Sequence, residues 1–385
     1  MPKRQFFPAL ESLRGIAALL VVFYHIGWLY PAYSLEFIRN GALMVDLFFV
    51  LSGFVMALSY GDKLGKTIGI SGFLSARFWR LYPLHLVFLI VFLMIEGVKY
   101  FAETQLGISA DKAAFSQNNG ESFVYHLLLL QSMGLQDHSS FNTPSWSISV
   151  EFYTYILFAG VFMLFLNRQS RALTSLFLAL CSLLLIIQFG KDSLTFDDHV
   201  SFFRCTYGFF IGVFGYRIYQ WQQAHIQQSP EGSRTNRTEL IYTALILITL
   251  GYLLLIKHDN YLEFLIPPVV ATLILFLVSS PQSKLANLLS WSPFLWLGKV
   301  SYSIYISHMA FIWFFTAVIR VVFKMEVDPH TDVVMTSPLF GSLAAILLVS
   351  CVLICSHFTF KYIEDPCRLY GIKRRERKSA AAKTV

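Results

Sequence analysis

The chain has 385 residues, of which 56% are hydrophobic and 14% are charged, and its mean hydropathy is +0.58. Soluble globular proteins carry about 25% charged residues, so the composition excludes an ordinary soluble protein and indicates one whose solvent is a lipid bilayer. The formal net charge of +7 does not indicate nucleic-acid binding, because the basic residues stand in short loops and at both chain ends, where the positive-inside rule places them.

Ten stretches are apolar enough to form transmembrane helices, which need about 20 such residues. The run 123–135 is apolar but too short to cross, and it predicts a re-entrant or interfacial helix. The sequence therefore predicts an all-α integral membrane protein, a bundle of about ten transmembrane helices with one short helix that does not span. The predicted spans are 10–29, 42–60, 84–101, 147–166, 172–190, 203–221, 239–257, 264–280, 301–323 and 338–360.

Loop charges predict the direction in which these spans cross. If the N-terminus is inside, the loops after even-numbered spans carry basic residues such as Arg77 and Arg80, and the remaining loops carry acidic residues such as Glu103. We therefore expect both termini to be cytoplasmic. Residues 1–366 would form the transmembrane domain, and residues 367–385 a basic cytoplasmic tail close to anionic lipid headgroups.

The first span contains the ionisable residues Glu11, Arg14 and His25. Arg14 and His25 are eleven residues apart, so on a helix they share one face and are separated by about 16 Å along the axis. Ionisable groups inside spans are costly and mark functional sites, which predicts that this helix faces a polar interior. Two structural alternatives stay open: Arg14 pairs with Glu11 or a headgroup, and His25 makes only an interhelical hydrogen bond. Because of these charges, we expect the segment to remain as an anchor rather than to be removed as a signal peptide.

The second and third spans carry further charges. Asp46 stands near the outer end of the second span, where it could orient a histidine or simply cap a helix. Arg77 and Arg80 are three residues apart at the mouth of the third span and project to the same side of a helix. Two adjacent guanidinium groups suit a phosphate or pyrophosphate, although the residues alone favour positive-inside anchoring, with Trp79 and Tyr82 at the interface.

Two polar clusters follow in later spans. Ser147 and Glu151 are four residues apart at the entry to the fourth span, which indicates one shared face or a capped helix entry. Tyr305 and His308, with Ser301, fall on one face near the start of the ninth span, as a polar interhelical seam would also require. Together with the earlier spans, these residues predict an interior cavity lined by polar groups.

Cysteine and glycine patterns limit the other kinds of site. The five cysteines lie in or beside apolar runs, without metal-ligand spacing, so we predict neither a disulfide nor a metal site. The chain has no P-loop or Rossmann glycine pattern, so an arginine site would have to hold any nucleotide.

Seven sequence blocks in a fixed order resemble the membrane-bound acyltransferase 3 family over almost the whole chain. They are Ser12-Leu13-Arg14-Gly15 to His25, Asp46-Leu47-Phe48-Phe49 to Phe54, Arg77-x-x-Arg80-x-x-Pro83, Trp146-Ser147-x-Ser149-x-Glu151-x-Tyr153, Arg204 to Gly212, Ser301-Tyr302-Ser303-x-Tyr305-x-x-His308, and Ile363-Glu364-x-Pro366.

The resemblance implies an acyltransferase with about ten spans in the bacterial inner membrane. Its donor would be a cytoplasmic acyl-coenzyme A, acetyl most often, and its acceptor a hydroxyl on a sugar-containing molecule such as a surface glycan or glycolipid. His25 matches the family's essential histidine and Arg14 its essential first-span arginine, while Arg77 and Arg80 match the motif tied to the donor. Many members add an esterase-like domain after an eleventh span, whereas this sequence ends shortly after its tenth predicted span. We therefore expect both steps of transfer to occur in this bundle, or the second step to be carried out by a partner.

The residues then receive provisional roles. We predict that His25 acts as general base or transient acyl carrier, that Asp46 or Glu151 fixes its tautomer, and that Ser147, Tyr305 and His308 contact substrate or the oxyanion. Arg14, Arg77 and Arg80 would bind the coenzyme A donor, with no metal. Two other readings stay open, a transporter or flippase of a glycan lipid and a non-catalytic subunit of polysaccharide assembly. Acceptor identity, acyl length and oligomeric state are not predicted.

Overall fold

In the part of the chain that it describes, the computed structural model has helices and connecting segments, with three isolated β-bridges and no strands. The described residues are 6–108, 112–165, 167–190, 200–226 and 261–381, with 244, 248, 251, 252 and 256 between the last two ranges. The helices are α1 Pro8–His25, α2 Glu36–Arg39, α3 Met44–Tyr60, α4 Ile70–Gln105, α5 Gly120–Leu127, α6 Trp146–Leu164, α7 Arg168–Phe189, α8 Ser201–Ile226, α9 Ile266–Ser279, α10 Lys284–Leu289, α11 Ser292–Val321, α12 Pro338–Thr359 and α13 Asp365–Ala381.

Local sequence explains where several helices begin. A proline stands in the first turn of α1, α9, α11 and α12, where its missing N–H costs no hydrogen bond. Asn119 and Asn167 cap α5 and α7, since their side-chain oxygens accept from backbone N–H groups three residues later.

Seven helical segments among the described residues are long and apolar enough to cross a membrane. The all-α membrane class is therefore confirmed, whereas the number of spans stays a prediction. The predicted spans 10–29 and 203–221 are helices α1 and α8, which fall short of that apolar criterion, and all but five residues of 239–257 lie outside the described residues. The seven segments are Glu36–Tyr60, Ile70–Gln105, Thr143–Leu164, Arg168–Phe189, Tyr261–Ser279, Ser292–Val321 and Pro338–Glu376.

Helices α1 and α11 run side by side in the same direction, with their backbones in contact. A side chain on Gly15 would collide with the backbone of Gly298, and one on Gly298 with the backbone of Glu11. Ten residues further along each helix, His25 faces His308. Small residues permit such close approach between helices in a membrane, and the shared direction agrees with the predicted order, in which the first and ninth spans cross alike.

Helices α3 and α8 form a second parallel pair. Gly212 lies on the backbone of Val50, and Gly53 leaves no room for a side chain against α8. One end of the pair is fixed by Arg204, which binds Asp46. This pairing also agrees with the predicted order, because the second and sixth spans are expected to cross in the same direction.

The predicted short helix is α5, which begins earlier and is shorter than the run 123–135. The chain leaves it through Leu129, whose backbone has a positive φ of 57°, and returns to the bundle before α6. His126 links the segment between α4 and α6 to itself and to α4. Its Nε2 lies 3.1 Å from Ser140 Oγ, and its carbonyl accepts a hydrogen bond from His85 Nε2 of α4 at 3.0 Å.

The predicted C-terminal tail is also structured. Helix α12 continues through a single π-helical turn, Phe360–Glu364, into α13. Glu364 in this turn is 2% exposed and accepts a 2.8 Å hydrogen bond from Ser303 of α11. Further on, Tyr370 packs edge-to-face on Trp79 of α4, with ring centroids 4.7 Å apart. The tail is therefore helical through Ala381 and packs against the bundle at Tyr370.

Candidate active site

A cavity of about 620 Å³ opens into the bundle at the end where α1 begins and α3 ends. Its walls come from α1, α3, α4, α6, α11 and α13. Five arginines and three glutamates are among its lining residues. A cavity with this excess of cations is suited to an anionic ligand.

Arg14 reaches this cavity from α1. Its guanidinium lies 3.3 Å from Glu11 and donates a 3.1 Å hydrogen bond to Ser301 Oγ on α11. The side chain of Arg14 is 23% exposed. The structure thus combines the two sequence-based interpretations, since Arg14 pairs with Glu11 and also lines the polar interior.

Arg77 and Arg80 line the same cavity from α4, as their spacing predicts. Arg77 is 9% exposed; it donates to the Tyr60 hydroxyl at 3.0 Å, and its Nε has no hydrogen-bond partner. Among the described residues, neither arginine forms an ion pair with a carboxylate, although Glu364 lies within electrostatic range of Arg80. Two guanidinium groups that form no ion pair among the described residues can bind a phosphate.

Ser147, Glu151 and Tyr305 form the deeper part of the lining. The Tyr305 hydroxyl donates to the carbonyl of Pro144 at 2.9 Å and accepts from Ser147 Oγ at 2.9 Å. Glu151 accepts a 2.7 Å hydrogen bond from the Tyr155 hydroxyl. The Tyr305 proton is therefore committed to a backbone carbonyl, and stabilisation of an oxyanion by Tyr305 would require that bond to break.

His25 lies beyond this lining, at the last residue of α1, and is partly exposed. Its ring faces that of His308, with centroids 5.0 Å apart, and His308 in turn lies 5.9 Å from the Tyr305 ring. His25 and His308 are absent from the cavity lining, whereas Tyr305 belongs to it. The sequence-predicted histidines thus meet each other just behind Tyr305.

The hydrogen bonds of the two rings define their tautomers. His25 Nδ1 lies 2.9 Å from the carbonyl of Val21, and His308 Nδ1 lies 2.7 Å from the carbonyl of Tyr305. A carbonyl only accepts, so both Nδ1 atoms carry the proton when the rings are neutral. The bare Nε2 of His308 lies 3.3 Å from His25 Nδ1, so the single Nδ1 proton of His25 is shared between the Val21 carbonyl, which is nearer, and His308. His25 Nε2, which makes no hydrogen bond within the described residues, keeps its lone pair.

Asp46 is not where a partner of His25 would be. It is fully buried, and both of its oxygens bind Arg204, at 2.9 Å from Nε and 2.7 Å from Nη2. Glu151 does not contact His25 either. The expected carboxylate beside the histidine is thus replaced by the Val21 carbonyl and His308, since Arg204 of α8 occupies both oxygens of Asp46.

Sequence reasoning missed three residues of the site. Tyr60 lies at the end of α3, where it looks like an interfacial aromatic, and Arg368 and Arg375 look like part of a basic tail. One signal was available: Arg368, Ile372 and Arg375 recur at helical spacing, so they share one face of a helix.

Comparisons with known proteins converge on one kind of enzyme. A family model described as an acyltransferase domain matches residues 7–357 of the chain. A Bacillus subtilis protein, provisionally named a peptidoglycan O-acetyltransferase, is 26% identical over 402 residues, which cover 96% of this chain and 56% of the relative. The peptidoglycan O-acetyltransferase of Listeria monocytogenes is 24% identical over 399 residues, covering 96% and 57% respectively.

A shorter match involves an acyltransferase of Streptomyces mycarofaciens, 35% identical over 160 residues, or 39% of this chain and 38% of that protein. The chain thus spans little more than half the length of the two relatives that it matches from end to end. No solved structure matches it.

Proposed function

The chain belongs to the family of acyltransferase domains whose model matches residues 7–357, and from this premise we propose that it transfers an acyl group, acetyl in the first instance, from cytoplasmic acyl-coenzyme A to a hydroxyl of a sugar-containing acceptor. The acceptor class follows the relatives named as peptidoglycan O-acetyltransferases. Both chain termini and the cavity mouth would face the cytoplasm, in the inner membrane. Residues 1–366 would act as the transferase domain.

The observation that carries this proposal is the pair of arginines in the cavity, of which Arg77 forms no ion pair with a carboxylate among the described residues, while Arg80 has Glu364 within electrostatic range. Arg77 and Arg80 project from one helix face, and Arg77 keeps a buried Nε without a hydrogen bond. A buried guanidinium with an unsatisfied N–H, as in Arg77, is costly, and the diphosphate of coenzyme A would supply an acceptor with bidentate geometry. Arg14 extends the positive lining inward along α1, toward the acyl end of the donor.

His25 is the proposed general base. Its Nδ1 proton is held by the Val21 carbonyl and His308, so Nε2 presents a lone pair of the kind that accepts a hydroxyl proton. The distance from Arg14 to His25 along α1, about 16 Å for eleven residues, would be covered by the flexible pantetheine arm. His308 acts as a positioning residue in this proposal, in the place that sequence reasoning gave to Asp46 or Glu151.

The reaction balances without any other reactant. His25 takes the proton of the acceptor hydroxyl as its oxygen attacks the thioester carbonyl and forms a tetrahedral oxyanion. Collapse breaks the carbon–sulfur bond, and the coenzyme A thiolate leaves with the proton from His25, so that an ester and free coenzyme A result. Ser147 and Tyr305 are the proposed neighbours of the oxyanion, through a rearranged hydroxyl network.

Donor binding provides the first test. The purified full chain in neutral detergent is titrated calorimetrically with acetyl-coenzyme A. A double variant, Arg77→Ala and Arg80→Ala, is compared with a control double variant, Lys63→Ala and Lys66→Ala. The lysines are exposed and also three residues apart, so the control removes the same charge outside the cavity. We expect binding to be lost only in the arginine variant. Absence of binding by the folded wild type, with or without a glycan fraction, would contradict the proposed donor.

The proposed role of His25 as general base is tested separately from donor binding. His25→Asn keeps an N–H group close to the Nδ1 position but removes the base, so we expect acetyl transfer to fall by about 10²–10⁴-fold while acetyl-coenzyme A still binds. The assay follows radiolabelled acetyl groups from the donor into the glycan fraction of membranes. Full activity in this variant would exclude His25 as the base.

A further inference from the structure

The C-terminal helix α13 turns one face into the arginine cavity. Arg368, Ile372 and Arg375 recur four and three residues apart along it and all line the cavity. Lys373 and Arg374 lie between them and are exposed. The basic segment is thus divided into an inward and an outward face, which anchoring to headgroups does not require.

Packing against α4 fixes this orientation. Gly371 lies on the side chain of Trp79, which would block any larger residue there, and Tyr370 packs against the same ring. Trp79 stands between Arg77 and Arg80 on α4, so the contact brings α13 alongside the two cavity arginines. The family match ends at residue 357, before α13 begins.

Arg375 and Arg77 approach a single phenol from two helices. Arg375 Nη1 lies 3.4 Å and Arg77 Nη2 3.0 Å from the Tyr60 hydroxyl oxygen. Their guanidinium carbons lie 5.9 and 5.3 Å from the Tyr60 ring centroid, within the range of a cation–π contact. A neutral side chain therefore holds two cations close together.

These two cations have little negative charge beside them. Arg77 has no carboxylate partner among the described residues, and the contact of Arg375 with Glu376 is 3.9 Å long, with the Glu376 side chain 67% exposed. By contrast, Arg368 is paired with Asp365 on its own helix. Within the described part of the lining, Arg77 thus has no carboxylate partner, and Arg375 has only this long contact with an exposed carboxylate.

We infer that α13 is part of the donor site, and that Arg375 and Arg77 together bind a phosphate group of the acyl-coenzyme A across Tyr60. This inference rests on the proposed donor and extends it to a residue outside the family match. Two guanidinium groups on different helices bind a phosphoester from two sides. A lipid headgroup offers the same phosphoester, so the test separates the two sources.

The experiment compares Arg375→Ala with Arg374→Ala in the full chain. Each variant removes one positive charge from neighbouring positions of α13, but only Arg375 faces the cavity. Calorimetric titration with acetyl-coenzyme A in neutral detergent is expected to show at least about tenfold weaker binding for Arg375→Ala, and less than about twofold change for Arg374→Ala. Arg375→Lys, which keeps the charge and loses the fork geometry, is expected to lie between them. Equal melting temperatures establish that all variants are folded.

The possible outcomes are distinct. If the wild type binds acetyl-coenzyme A and Arg375→Ala binds it equally well, the inference is overturned and the proposed donor stands. If the folded wild type does not bind it, the donor itself is wrong and the inference fails with it. A third arm titrates phosphatidylglycerol into the micelles: weaker lipid binding by Arg375→Ala, with unchanged affinity for acetyl-coenzyme A, assigns the site to a lipid headgroup and also overturns the inference.

Discussion

Arg204 of α8 binds both carboxylate oxygens of Asp46 on α3, and the pair is almost completely shielded, with side-chain exposures of 5% and 0%. The guanidinium also lies over the Trp146 ring at 5.3 Å from its centroid. Removing one partner of a buried pair leaves an uncompensated charge, whereas removing both is often tolerated.

We therefore expect Asp46→Asn to destabilise the protein by about 3–5 kcal/mol, and the double variant with Arg204→Met to recover much of that loss. Thermal unfolding in detergent measures both. Turnover per folded molecule separates this structural role from the catalytic one that sequence reasoning gave Asp46. A large fall in turnover, with an unchanged melting temperature, would favour the catalytic role.

His308 is expected to affect the rate through His25. His308→Ala removes the imidazole that accepts from His25 Nδ1, so we expect a loss of about tenfold in kcat, smaller than the loss on removing the base, and little change in KM for the donor. His308→Gln retains an acceptor and is expected to recover part of the rate. Ser307→Ala, on the neighbouring position, serves as control.

The pH–rate profile distinguishes positioning from simple packing at this position. His308→Ala is expected to displace the limb of the profile that reports His25, because a hydrogen-bond partner of the ring is gone. An unshifted profile with a lower rate would mean that His308 only fills space.

Glycine positions give a stability prediction with internal controls. Gly53→Leu is expected to prevent α3 and α8 from approaching, which lowers the fraction of monodisperse protein after extraction in detergent. Gly97→Leu is the matched control, since no atom stands within 4 Å of a side chain added there. Equal yields of the two variants would contradict the close contact between α3 and α8.

Acid is expected to destabilise the segment that contains α5, between α4 and α6, which lies outside the predicted spans. Burial lowers the pKa of His126 from 6.5 to about 3. Between these values the unfolded chain binds a proton that the folded chain does not, so stability falls as the pH decreases from about 6.5. We expect the melting temperature to fall from pH 7 to pH 4, and His126→Gln to reduce that dependence. His330→Gln, at an exposed position, should leave the dependence unchanged.

Much of the site could be predicted from sequence because helical spacing is local. Arg77 with Arg80, and Ser147 with Glu151, share faces that the structure turns toward one cavity. Partners from different helices could not be predicted in this way. Nothing in one sequence indicates that Asp46 meets Arg204 rather than His25, since that depends on which helices become neighbours.

The basic C-terminal tail shows a second limit of prediction from sequence. A run of lysine and arginine after the last apolar helix is ordinarily a solvated or lipid-facing segment. Only the packing of Gly371 and Tyr370 on Trp79 turns Arg375 inward. That contact depends on the direction of α13 after the π-helical turn, which residue types alone do not specify.

The parallel contact of α1 with α11 fixes the positions of the two histidines relative to the glycine contact. The interval from Gly15 to His25 equals that from Gly298 to His308, ten residues in each helix. Both helices rise and turn at the same rate, so equal counts keep the two imidazoles opposite each other, whereas one residue deleted from either interval rotates its histidine by about 100°. Matching deletions in both helices would turn each histidine by the same angle about its own axis while Gly15 and Gly298 hold the contact in place, so they would not bring the rings back together. The number of residues in these two intervals is therefore as much a constraint on the enzyme as the identity of its histidines.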